Sequence, residues 1–131
     1  MIRIAVTKGR IEKDVYKLMQ NAGFDVVPFE NKNRELLIRT NDEIEMIFVK
    51  AGDVLTFIEQ GVADIGIVGK DTLEESDFTD YDELLDLNIG KCYFALASFE
   101  GYKEKTSKPR KVIASKYPKT AKNILEVLEK M

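Results

Sequence analysis

The sequence predicts an α/β chain, a mixed sheet flanked by helices. Short apolar runs alternate with segments of helical period. Most of the corners between them carry glycine beside charged residues. One pair of apolar runs is separated only by a tight polar turn, so at least one strand pair is antiparallel.

Residues 2–6 (IRIAV) open the chain as a buried strand. Thr7-Lys8-Gly9-Arg10 follows. Ile11, Val15, Leu18, Met19 and Ala22 then recur on one face of an amphipathic helix. Gly23 is a C-terminal stop. Phe24–Phe29 reads as a short second strand ending near Pro28. Residues 34–40 and 44–49 alternate as a hairpin, with Asn41-Asp42 as its turn. Gly52-Asp53 opens a helix whose inner face is Val54, Phe57 and Ile58, and Gly61 ends it. Residues 62–68 (VADIGIV) read as a buried strand, and Gly69-Lys70-Asp71 follows it. Asp71 and Glu74 have capping-box spacing, with Asp at the cap. The acidic stretch 74–82 reads as a solvated loop, 91–98 as a further strand, and 99–110 as a polar connector. Lys111–Ser115 is a short strand, and Pro118 starts a last helix striped by Ala121, Ile124, Leu125 and Leu128.

Composition narrows the function. The 131 residues carry 20 basic and 23 acidic side chains, a net charge of −3, so a general nucleic-acid footprint is not expected. No apolar run is long enough to span a membrane. Cys92 is the single cysteine; internal disulfides are impossible and a reducing, cytoplasmic setting fits. Its apolar neighbours make it read as core. The chain has no histidine, which removes the commonest general base and most nitrogen-ligated zinc sites.

The strongest local feature is strand, Thr7-Lys8-Gly9-Arg10, helix. Gly9 permits close backbone approach, a helix start attracts anions, and Lys8 and Arg10 add charge. Two readings stand side by side: a phosphate site, or a tight turn with two solvated cations. Gly69-Lys70-Asp71 repeats the arrangement after another strand, and ligands in open α/β sheets collect outside the carboxyl ends of strands. For Asp71 the structural role, a helix cap, is the stronger of its two readings. Lys50 stands at another strand-to-helix corner, where Asp53 is as easily a cap as a ligand. Arg34 follows the polar run Glu30–Asn33, either on a loop that closes over an anion or as a solvated surface residue. No carboxylate pair is placed for acid–base work. The residues alone describe an α/β binder of a phosphate-bearing ligand.

Four segments, in order, add a family. IAVTKGRI at 4–11, KAGDVLTFIEQGVADIGIVGKDTL at 50–73, DELLDL at 82–87 with GKC at 90–92, and ASKYP at 114–118 resemble the ATP phosphoribosyltransferase catalytic subunit of histidine biosynthesis. The resemblance implies a type II periplasmic-binding-protein-like fold, with two α/β domains facing across a cleft. It divides this chain into a first domain over 1–98, a connector over 99–110 and the start of a second domain over 111–131. It implies that ATP and phosphoribosyl pyrophosphate are joined, adenine N1 to ribose C1, with release of pyrophosphate and with magnesium present. Arg10 and Arg34 would stabilise the departing pyrophosphate. Lys8 and Gly9 would line the same pocket, and Lys50, Asp53, Gly69, Lys70 and Asp71 would shape the first-domain side of the cleft. Expected partners are copies of the chain itself and a separate regulatory subunit resembling a histidyl-tRNA synthetase.

The chain departs from the pattern in places. Tyr93 stands where a basic residue is usual, and Gly52 where a larger polar one is common. The phosphate-cradling Val-Asp…Thr-Gly…Thr-Leu run of the second domain is missing, as is the segment that returns to the first domain. The expectation is a partial catalytic subunit, inactive alone. A non-catalytic nucleotide- or anion-binding module, and an interaction module without ligand, are the alternatives.

Overall fold

The computed structural model describes residues 1–40, 43–102 and 112–129. The chain divides into two compact units, Met1–Gly90 and Lys91–Met131.

In the first unit four strands form one sheet in the order β2-β3-β1-β4. They are β1 (Ile2–Thr7), β2 (Leu37–Arg39), β3 (Ile44–Val49) and β4 (Ile65–Ile67). β1 runs parallel to β3 and β4, while β2 lies antiparallel on β3, so the expected mixed sheet and hairpin are present. The helices are α1 (Glu12–Asn21), α2 (Val27–Glu30), α3 (Ala51–Glu59) and α4 (Lys70–Glu75). The turn expected at Asn41-Asp42 lies outside the described residues, but Thr40 N–H donates to Ile44 O at 2.9 Å and closes the hairpin.

Hydrophobic burial holds the two faces of this sheet. One side packs Val15 and Tyr16 of α1 and Phe29 of α2 onto Val6, Ile38, Met46 and Phe48. The Tyr16, Phe29 and Phe48 rings meet at centroid distances of 5.8–6.4 Å, one pair stacked and two edge-on. The other side packs Val54 of α3 onto Ala5 and Ala63. At Gly66 the β4 backbone meets α3 closely, because an added Cβ would lie 2.8 Å from Val54 Cγ1.

Several expectations are corrected. Residues 24–29 are not a strand: Asp25 Oδ1 accepts the Val27 N–H at 3.1 Å, Pro28 suits a first helical turn, and α2 forms. Val26 and Phe29, three apart, then point together into the core. The inner face of α1 includes Tyr16, whose ring packs on Phe29 and Phe48 and whose hydroxyl is satisfied by Glu12, while Leu18 is exposed. Ile65 and Gly66 are exposed, as β4 is an edge strand rather than a buried one. Asp71 does not cap α4; Gly69 holds that position in extended backbone, and the Asp71 carboxylate accepts the Thr72 N–H at 3.0 Å.

Among its described residues the second unit holds one helix, α5 (Pro118–Glu129), with Pro118 at its first position as expected. Phe94 and Tyr117 meet edge-on at 5.3 Å. Neither 91–98 nor 112–115 forms a strand, and Cys92 is exposed rather than core. Lys111 and most of the 99–110 connector lie outside the described residues. Strand-forming composition has force only beside a partner strand, and none is present for these runs among the described residues.

Candidate anion site at the carboxyl edge of the sheet

Parallel pairing decides where the charged corners go. In register, Thr7 lies beside Val49, and Val6 beside Ile67. Lys8 N–H donates to Val49 O at 2.8 Å, and Thr7 Oγ1 donates to Ile67 O at 3.3 Å, tying the three strand ends together. The corners that follow these strands therefore open at one edge: Lys8–Arg10, Lys50–Asp53 and Gly69–Asp71. β2 runs the other way, so its beginning meets the same edge; Phe48 N–H donates to Leu36 O at 2.8 Å, and Arg34 is two residues before it. One sheet edge thus gathers every candidate residue read from the sequence. Lys8, Arg10, Arg34, Lys50 and Lys70 are all exposed there, in a chain whose net charge is −3.

The corners are built differently. Gly9 has a φ of +105°, a conformation that glycine alone adopts freely, and an added Cβ would meet nothing within 4 Å. Backbone strain, not crowding, therefore selects glycine here. Gly9 N–H donates to Glu12 Oε1 at 2.8 Å, and Glu12 N–H donates to Gly9 O at 3.1 Å. The two bonds close the turn that precedes α1, and the first occupies a donor that the sequence reading left free for an anion. Glu12 Oε2 accepts the Tyr16 hydroxyl at 3.1 Å and lies 3.5 Å from Lys32 Nζ. Burial, and then the Glu12 charge, push the Tyr16 phenol well above the usual tyrosine range.

Arg34 sits in a closed turn. Glu35 N–H donates to Lys32 O at 2.9 Å, and Asn33 takes a left-handed φ of 54°. At the third corner Lys50 is the extended residue before α3, and its carbonyl accepts the Asp53 N–H at 2.9 Å. The cap is thus Lys50 by position, and the exposed Asp53 carboxylate makes no cap bond. At the fourth corner the Asp71 carboxylate folds back over Gly69, filling the space a side chain there would need. Lys70 Nζ is 3.7 Å from Glu83 Oε1, an exposed pair that holds its cation weakly.

Among the described residues no three acidic or cysteine side chains converge on a metal position. The described helices include none long and apolar enough to cross a membrane.

Sequence reading missed three charged residues. Glu12 and Lys32 link two corners, and the Gly9–Glu12 spacing was a readable signal for the first. Glu45 is the third, fully buried in β3 between Arg3 Nε and Arg39 Nε, each at 2.5 Å. The Arg39 hydrogen bond, opposed by burial and reinforced by Arg3, holds the Glu45 carboxyl below the usual range. Arg3, Glu45 and Arg39 form one row across three strands, away from the carboxyl edge, and their work is structural.

Comparison with known proteins supplies the family. The family model described as ATP phosphoribosyltransferase matches residues 50–130. The ATP phosphoribosyltransferase of Lactococcus lactis subsp. cremoris is 55% identical over 123 residues, covering 94% of this chain and 59% of the relative. That of Clostridium kluyveri is 48% identical, covering 97% and 58%. The solved structure of the ATP phosphoribosyl transferase (HisG:HisZ) complex from Thermotoga maritima matches with a TM-score of 0.51 and 31% identity, over 64% of this chain and 39% of that one. This likeness agrees with a mixed sheet of the type II periplasmic-binding-protein-like kind. The chain spans less than three fifths of the length of these curated relatives. With matches of this identity along nearly its whole length, the chain belongs to the ATP phosphoribosyltransferase family.

Proposed function

We propose that this chain supplies the first-domain side of an ATP phosphoribosyltransferase site, in the first step of histidine biosynthesis. The observation that carries the reading is the gathering of Lys8, Arg10, Arg34, Lys50 and Lys70 at the carboxyl edge of one sheet. Both substrates are polyphosphates, and a cationic edge suits them. Adenine N1 brings its own lone pair to ribose C1, so the nucleophile needs no general base, and the absence of histidine is no obstacle. The charge that grows on departing pyrophosphate is the main demand, and Arg10 and Arg34 meet it by bidentate donation. Lys8 and Gly9 line the same pocket, with the Gly9 N–H already held by Glu12. Lys50, Asp53, Gly69, Lys70 and Asp71 shape its wall.

The donors described do not build a cage for magnesium. In this reading the ion is carried by substrate phosphates, and no step here runs through it. The remaining substrate contacts belong to the part of the relatives that this chain does not span. A cytoplasmic setting, self-association and a separate regulatory subunit belong to the same proposal; the HisG:HisZ composition of the Thermotoga maritima complex supports the last.

The test is calorimetric titration of phosphoribosyl pyrophosphate into the chain, followed by Arg10→Ala and Arg34→Ala. The expected result is saturable binding that each substitution weakens about tenfold, the size expected for a lost charge-assisted contact. Absence of binding, or indifference to both substitutions, sinks the proposal. A second reading, binding without turnover, follows from the incomplete span of the relatives. Pyrophosphate release by the chain alone, given both substrates and magnesium, would exclude it.

A further inference from the structure

We propose that Glu12 is a positioning residue, which holds the two arginine-bearing turns, 8–11 and 32–35, in fixed relation through the Gly9 amide and Lys32. The inference rests on the reading that Arg10 and Arg34 act on one polyphosphate.

Both carboxylate oxygens of Glu12 are used. Oε1 takes the Gly9 N–H at 2.8 Å; Oε2 takes the Tyr16 hydroxyl at 3.1 Å and lies 3.5 Å from Lys32 Nζ. The pair is sheltered, with side-chain exposures of 16% for Glu12 and 14% for Lys32. Lys32 is held from a second direction, its Nζ 4.4 Å from the centroid of the fully buried Phe48 ring. Arg10 is two residues before Glu12, and Arg34 two after Lys32. Each arginine is therefore at most about 7 Å of chain from one end of the bridge. The turn on the Lys32 side is closed by the Glu35 N–H to Lys32 O bond, so movement of Lys32 carries Arg34 with it.

Simple electrostatics argues the other way, which makes the inference testable. A carboxylate near an anion site repels the anion, so neutralising it should tighten binding. A positioning carboxylate does the opposite when removed. Glu12→Gln keeps the size and one acceptor oxygen but loses the charge that holds Lys32. Lys32→Met cuts the bridge from the other end and keeps the cover over Phe48.

The experiment titrates inorganic pyrophosphate into the chain, its E12Q and K32M variants and the double variant, with thermal unfolding of each. The expected result is binding about fivefold weaker in either single variant, near the upper range for a partly sheltered ion pair. The double variant should be no weaker than the worse single, because both changes cut one bridge. In the ligand-free chain, E12Q should shift the backbone amide resonances of Gly9 and of residues 32–35. Unchanged or tighter binding in E12Q, full additivity in the double variant, or unmoved 32–35 resonances would each overturn the inference. If binding needs both arginines yet ignores E12Q, the positioning role alone falls. If the unaltered chain does not bind pyrophosphate, or ignores Arg10→Ala, the underlying reading falls with it.

Discussion

Gly66→Ala adds one methyl group where the β4 backbone meets α3, and its cost follows from three distances. The new Cβ would lie 2.8 Å from Val54 Cγ1, 3.4 Å from Ile58 Cγ1 and 3.5 Å from Ile58 Cδ1. Carbon atoms rest comfortably at about 3.5–4.0 Å, so the Ile58 contacts are near normal and the Val54 contact is not. Val54 is wholly buried against Ala5 and Ala63, and its short branched side chain cannot swing clear as the far end of a long one could. Overpacking of this kind costs about 1–3 kcal/mol. The φ of Gly66 is not positive, so alanine fits the backbone and recovers about 0.4–1 kcal/mol by stiffening the unfolded chain. The net expectation is a loss of about 1–2 kcal/mol, seen as a urea midpoint roughly 0.5–1 M lower. Gly52→Ala is the control. Nothing lies within 4 Å of its Cβ position on α3, and stability should rise by up to about 1 kcal/mol. The assay is urea unfolding followed by circular dichroism. In a Val54→Ala background the cost of Gly66→Ala should largely vanish. A Gly66→Ala chain as stable as the original, or a cost that persists without Val54, would refute the packing argument.

Two further predictions concern pH. The Glu45 carboxyl titrates below its ordinary value of 4.5 in the folded chain, so its contribution is present above that value and is lost as pH falls through the lower, folded one. Glu45→Gln should lower the melting temperature at neutral pH and flatten the acid side of a melting-temperature profile; an unchanged acid slope would refute the assignment. Tyr16 is raised, so the sign reverses: its contribution is complete below the ordinary tyrosine value of 10.0 and declines as pH rises through it. Spectrophotometric titration should find a tyrosine step displaced to high pH, and Tyr16→Phe should remove it.

What could be read from the sequence was what depends on neighbours along the chain. The 3.6-residue stripes of α1, α3 and α5 were legible, as were β1 and β3 by alternation. The placement of Lys8, Lys50 and Lys70 was legible too, because a residue just after a parallel strand has only one edge to occupy; Arg34 reaches that edge only because β2 runs antiparallel. The failures share a cause. Phe24–Phe29 has strand composition, but Asp25 and Pro28 supply a helix start that outweighs it. Residues 91–98 have strand composition and lack a partner strand among the described residues. Glu45 is surrounded by apolar residues in sequence, and only pairing in register with Arg3 and Arg39 explains its burial. Lys32 looks like one more charge in a polar run; its value comes from Glu12, 20 positions away, and from the ring of Phe48 beneath it.

The central place of β1 has a kinetic consequence. The β2–β3 hairpin closes over short distances, as Arg39 and Glu45 are 6 residues apart. β1 must instead find β3 across 42 residues and β4 across about 61. Loop closure makes the local pairing fast and the distant ones slow. A folding chain therefore has its hairpin first and its middle strand last. Only when β1 docks do the Lys8, Lys50 and Lys70 corners share an edge, so under the proposed function any hold on a polyphosphate arises with that docking. A polyphosphate present during refolding should then slow unfolding and leave the folding rate untouched.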